Sequence, residues 1–130
     1  MLIVPIPITR EFIRANLDWT FVYSTNMFNT SSYGQASVAA GEPNTVGMPV
    51  RFRFCKSNPS SYFSDCQFSD VLRPALDSVL SVIRGKLPCV CVFPRIGEGD
   101  SRLAERAPIT FKYIRTELAK LHSPEVVFQY

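Results

Sequence analysis

At 130 residues the chain is the size of one domain and long enough to bury a proper core. Hydrophobic residues make up 46% and charged residues 19%, which excludes a disordered or fibrous chain. Fourteen Lys and Arg against eleven Asp and Glu leave a net charge of +3, with the cations scattered along the sequence. So mild a charge suits a pocket for an anionic small molecule and argues against a nucleic-acid track, which needs clustered cations.

Residues 1–8, Met-Leu-Ile-Val-Pro-Ile-Pro-Ile, read as a first strand whose two prolines fit an edge or an extended arm. No basic segment precedes them and Arg10, Glu11 and Arg14 follow at once, so a signal peptide is not expected. Nor does any apolar stretch reach the ~20 residues a membrane span needs, and a cytoplasmic location with no membrane partner is expected. Thr9 is placed to cap a helix over 10–16 with Phe12 and Ile13 inward. A strand at 19–23 leads into a polar loop, 24–36, and then a small-residue stretch that predicts a short helix stopped by Gly41. Pro43 makes 41–44 a turn. The strand predicted at 45–54 ends in alternation, with Val50, Phe52 and Phe54 on one face and Arg51 and Arg53 on the other.

Residues 55–64 read as a serine-rich surface loop able to lie over a crevice. Ser64 and Gln67 have capping-box spacing ahead of the longest helix, whose expected core face is Phe68, Leu72, Ala75, Val79 and Ile83. Pro74 predicts a kink or a start delayed to Arg73, and Gly85 a stop. The β-branched run 87–93 is a buried strand, and a glycine turn leads from it to a helix with the apolar face Ile109, Tyr113, Leu118 and Leu121. A last strand is predicted at 125–130. Strand and helix alternate throughout, which predicts one α/β domain over 1–130, a sandwich with a mixed, mostly parallel sheet.

Four cysteines and one histidine raise the question of a metal. Cys89 and Cys91 share one strand face, Cys55 and Cys66 flank a loop, no Cys-x-x-Cys pair occurs, and His122 stands near a helix end. Zinc needs four ligands at turn-like spacing, so no metal and no cofactor is expected, and the thiols read as small buried hydrophobes.

Strand, glycine turn, helix is the arrangement that α/β proteins use to hold a phosphate on unpaired N–H groups. In an open α/β sheet, loops beyond the carboxyl ends of strands gather into one crevice. Three such loops bring together the expected ligand-binding residues Asn26, Gly34, Gln35, Arg51, Arg53, Gly97, Gly99 and Ser101. Read from its position alone, Asp100 or Ser101 is also suited to cap the helix that follows.

The segments Asn26, Gly34-Gln35-Ala36, 41–44, 46–49, 62–65, 96–99, Arg102-Leu103 and 106–108 occur in one order that resembles an uncharacterised family of bacteriophage proteins. That family is in turn similar to macro domains, three-layer α/β/α modules that bind ADP-ribose and related nucleotides, and most to the branch that removes ADP-ribose from acidic side chains and DNA. The resemblance implies that 94–103 is the diphosphate loop. It also exposes two departures: Arg51 stands where that branch has its nucleophilic lysine, and the acidic position falls on Ser101, with Asp100 one residue early. Arginine stays protonated and cannot attack a sugar carbon.

Three functions follow as expectations. The first is a phage-encoded binder of an ADP-ribose-like or other nucleotide that sequesters a host defence signal, without turnover. The second is an ADP-ribosyl hydrolase or other nucleotide-processing enzyme, with Asp100 as its candidate acid or base. The third is a non-catalytic component that kept the fold and binds a host or phage protein, in a virion or outside one.

Overall fold

Strands and helices alternate along the chain of the computed structural model, which describes residues 1–53 and 58–129. They are β1 (Leu2–Pro5), α1 (Arg10–Ala15), β2 (Thr20–Asn26), α2 (Ala36–Ala39) and β3 (Thr45–Arg51). Then come α3 (Arg73–Arg84), β4 (Val90–Val92), α4 (Leu103–Arg106), α5 (Pro108–Leu121) and β5 (Val126–Gln129). The fold is mixed α/β with parallel sheets. Phe54 and Cys55, read above as strand end and loop start, lie outside the described residues, as does Tyr130.

β2 is the central strand of a three-stranded parallel sheet, ordered β3-β2-β4. Phe21, Val22 and Tyr23 are all buried. Successive side chains of a strand point to opposite faces, so both faces of β2 are covered, as parallel sheets require. β1 and β5 form a second, two-stranded parallel sheet. The two sheets meet through the residues before β5: Ser123 N donates to Val90 O at 2.9 Å. Val92 N then donates to the Nδ1 of His122 at 3.0 Å, so an imidazole takes the place of a strand carbonyl at the seam.

The expected face of α3 is displaced. Leu72, Leu76, Leu80 and Ile83 are buried, while Ala75 and Val79 are only half-buried. The cause is a wide, π-helical turn over Phe68–Leu72 just ahead of Arg73. Pro74 has no N–H to give and its ring crowds the preceding turn; a wider turn absorbs both and rotates the face that follows. The start at Arg73 agrees with the delay read from Pro74, and the Ser64 and Gln67 capping box forms.

α5 is rotated as well. Thr110, Ile114, Leu118 and Leu121 are buried, whereas Ile109 is 62% exposed. Asp65 sets this phase by capping the helix from a distance: its carboxylate accepts from Ile109 N at 2.9 Å, Thr110 N at 3.0 Å and Thr110 Oγ1 at 2.9 Å. With Asp65 holding that side, Ile109 faces out. Asp100 and Ser101 therefore do not cap α5, and α4 has no side-chain cap.

Two residues brace the strands beneath the loops. The Nδ2 of Asn44 donates to the carbonyls of Ile13, Asn16 and Trp19 at 3.0, 3.1 and 3.1 Å, closing the end of α1 onto β3. Gly47 lets β3 approach β2 closely: a Cβ there would stand 2.6 Å from Thr25 Cγ2 and 2.9 Å from Asn29 Oδ1.

Candidate functional site

Beyond the carboxyl ends of β2, β3 and β4 the loops enclose a cavity of about 510 Å³. Of the residues expected at a crevice, Gly34, Gln35, Arg51, Gly99 and Ser101 line it, and so does Asp100. Ser24, Thr25, Ser31, Tyr33, Val50, Arg95 and Glu98 complete the wall.

The floor is hydroxyl-rich. Thr25 Oγ1 is fully buried and has no hydrogen-bond partner among the described residues. Behind it the Tyr23 phenol, pushed above its ordinary pKa by burial, donates to Asn29 Oδ1 at 3.0 Å. Tyr33, 60% exposed, contributes an aromatic ring to the rim.

Gln35 shapes the wall by joining two loops. Its Oε1 accepts from Ser24 N at 2.9 Å and its Nε2 donates to Pro94 O at 2.6 Å. Both ends of the amide are thus engaged within the protein. Sequence reading placed Gln35 at the cavity but not its partners, since Pro94 is 59 residues away in the chain.

Arg51 departs from the alternation expected of a strand end. β3 stops at Arg51, whose side chain is buried and donates from Nη1 to Asp100 O at 3.2 Å. A buried guanidinium thereby stands against the main chain of the glycine loop and against the cavity at once. Arg53 is exposed and does not line the cavity. Phe52 N, between them, turns to Ser61 O at 2.8 Å, and this pairing ends the strand geometry that would have put both arginines on one face.

Asn26 and Gly97 also serve the cavity without lining it. Asn26 Oδ1 accepts from Phe28 N at 3.1 Å and Thr30 N at 2.9 Å, and Nδ2 donates to Thr30 Oγ1 at 2.9 Å. The side chain is buried and holds the turn that starts the loop after β2, a usual task of Asn. Gly97 is buried against α5: a Cβ there would meet Phe111 Cδ1 at 3.0 Å and Leu103 Cδ2 at 3.1 Å. Gly99 has nothing within 4 Å of its missing side chain and borders the cavity instead.

The loop between β4 and α4 has an unusual backbone. Arg95, Gly97, Gly99 and Arg102 all take positive φ, of 60°, 89°, 77° and 49°. Two of these four are arginines, for which a left-handed conformation costs of order 1–2 kcal/mol each. Glu98, between the two glycines, is extended at φ −97° and ψ 169°, so the backbone changes direction from residue to residue along the loop. Strain of this kind collects at binding sites, held by the surrounding structure.

Charge at the lining is balanced, with Arg51 and Arg95 against Glu98 and Asp100. Glu98 is drawn to Arg115, whose Nη1 lies 3.3 Å from its Oε2. Ser101 Oγ reaches Glu98 O at 3.5 Å. The guanidinium of Arg95 makes no hydrogen bond or ion pair with another described residue. Among the described residues no group of three or more His, Cys, Asp or Glu could hold a metal ion, and no helix is long and apolar enough to cross a membrane. Of the cysteines, Cys91 is buried and its thiol is pushed up to about 12 by burial, so at neutral pH it behaves as a small hydrophobe.

Residues 5–117 match the model of a family of unknown function, DUF7831, and the chain belongs to that family. No curated protein and no solved structure matches the chain.

Proposed function

We propose that the chain is a phage-encoded, macro-like three-layer α/β/α domain over 1–130 that binds an ADP-ribose-like or other anionic nucleotide in the cavity beyond β2, β3 and β4, and that it does so without turnover. The observation that carries this reading is the loop with positive φ at Arg95, Gly97, Gly99 and Arg102, held by the buried Arg51 through the Asp100 carbonyl at the wall of one cavity. A guanidinium is a donor that a phosphate takes well, and a glycine turn lets a phosphate approach the main chain. Ser24 and Ser31 supply neutral hydroxyl partners for a sugar, and a cavity of about 510 Å³ is of the size that encloses a small-molecule ligand. Burial of β2 on both faces supports helices on either side of the sheet. In the host cytoplasm such a domain would withdraw a nucleotide defence signal by binding it.

A hydrolase reading is favoured by one observation, the presence of Asp100 at the cavity. A carboxylate there would activate water or orient a ribose hydroxyl. Against it stands Arg51, which holds an anion but cannot act as a nucleophile.

The test is thermal-shift and calorimetric titration of the purified chain with ADP-ribose, its cyclic forms, NAD and cyclic dinucleotides. Stabilisation by one of them is expected, growing with ligand concentration as binding to the folded state requires. Arg51→Ala should weaken that ligand by about 1.5–3 kcal/mol, the worth of a hydrogen bond to a charged group. No stabilisation by any of them overturns the nucleotide reading. Product formed from ADP-ribosylated DNA or protein, and lost in Asp100→Ala, would make the chain a hydrolase.

A further inference from the structure

A second cavity, of about 300 Å³, opens where the β4 edge and β5 part company and α5 passes beside them. Its walls are apolar, including Val92, Ile96, Leu118 and Phe128, and His122, Arg95 and Arg115 interrupt them. The imidazole of His122 is oriented from both sides: it stacks on Phe128 with ring centroids 5.9 Å apart, and Nδ1 accepts from Val92 N at 3.0 Å. An Nδ1 that accepts carries no proton, so the neutral ring bears its N–H on Nε2. No described residue accepts from that N–H. Arg95 lies at the same cavity with a positive φ and a guanidinium that pairs with no other described residue, while Arg115 is turned toward Glu98.

We propose that this second cavity binds a compact apolar carboxylate, with its hydrocarbon body between β4, α5 and β5 and its carboxylate on Arg95 and the Nε2–H of His122. The volume stands at the small end of ligand pockets, which run from roughly 300 to 1,000 Å³, so the occupant is no larger than a single substituted ring or a short branched chain. A carboxylate matches what is left over: one N–H donor and one guanidinium beside apolar walls, where a charge-assisted bond is worth most. Among the described residues the titratable and charged groups at this cavity are His122, Arg95 and Arg115, and none of its lining side chains is acidic. Arg95 also lines the larger cavity, so an anion bound there and a carboxylate bound here draw on the same guanidinium. The proposal does not depend on the nucleotide reading.

The experiment is a titration of the full chain with benzoate and, as its neutral counterpart, benzyl alcohol, followed by amide and imidazole resonances. Benzoate should perturb Val92, His122 and Phe128 and bind at least about tenfold more tightly than benzyl alcohol, as expected of a hydrogen bond to a charged group. Arg95→Gln, an exposed substitution, should bring the two probes level. Ala119→Phe, on the exposed lip of the cavity in α5, should abolish binding of both. Equal affinity of the two probes for the unaltered chain overturns the carboxylate assignment. Perturbations confined to Ser24 and Gly99, or none at all, overturn the site itself.

Discussion

Gln35, in the wall of the larger cavity, is joined to Pro94 by a hydrogen bond of 2.6 Å from Nε2 to the proline carbonyl. The same side chain accepts from Ser24 N, so a single amide holds the loop after β2 to the loop after β4. Asn and Gln are the side chains with both an acceptor and a donor in one planar group, and here both are used by backbone.

That bond makes Gln35→Glu the informative substitution. A carboxylate keeps the acceptor for Ser24 N but faces the Pro94 carbonyl with a second oxygen and no donor. Loss of about 1–3 kcal/mol of stability is expected, from an unsatisfied carbonyl and like polarity in contact. Urea unfolding measures it, and hydrogen exchange at residues 94–102 should accelerate with it. Unchanged exchange in that loop would show that Gln35 does not hold the two loops together.

Gly97 and Gly99, both with positive φ, should respond differently to alanine. Alanine at either position bears a left-handed cost of about 1–2 kcal/mol. At Gly97 the methyl also presses on Phe111 and Leu103, which adds about 1–3 kcal/mol of overpacking. Gly99→Ala should therefore be the milder change in melting temperature, and the one whose main effect is on ligand affinity. Equal melting temperatures for the two variants would contradict the contrast in packing.

Asp65 and α5 offer a test of the long-range cap. Asp65→Ala removes the acceptor of three hydrogen bonds at the first turn of the helix. The expected loss is about 1–2 kcal/mol, the upper range for an N-cap. Asp65→Asn should recover part of it, since a carbonyl oxygen remains. Chemical denaturation of the three proteins orders them as wild type, Asn, Ala from most to least stable.

The seam between the sheets should be sensitive to acid. Burial holds the His122 pKa below its ordinary value of 6.5, and Nδ1 must stay unprotonated to accept from Val92. The unfolded chain thus takes up a proton at a pH where the folded chain resists it. Stability contributed by the neutral ring is whole above about pH 6.5 and falls as pH drops through that value toward the lower folded one. Urea midpoints between pH 7.5 and 5.5, above the ordinary carboxylate range, should decline for the unaltered chain. His122→Asn, which keeps an acceptor but does not titrate, should remain flat over the same range.

Local pattern was enough for much of this fold. Thr9 caps α1 as its position implies, accepting from Phe12 N at 3.1 Å. The apolar run before the glycine turn is a strand, and α3 starts at Arg73, with Pro74 in the first turn where a residue without an N–H is allowed. These features depend on neighbours within a turn or two, which is the range over which propensity, capping and periodicity act. The gathering of Gly34, Gln35, Arg51, Gly99 and Ser101 at one cavity was legible too, because parallel strands deliver their following loops to one edge.

Other features depended on residues far apart in the chain. Whether Arg51 pointed to solvent or into the protein was decided by the Asp100 carbonyl, 49 residues on. The phase of α5 was decided by Asp65, and the width of the turn before α3 by how a proline ring could be accommodated against the core. Gly97 and Gly99 look alike in sequence, yet one packs on Phe111 while the other borders the cavity. The amino-acid sequence by itself determined the order of the main strands and helices and which loops are polar. Only the tertiary structure decided which side chains in those loops face the cavity and which brace it, because a buried polar group takes whichever partner the packing brings within hydrogen-bond reach.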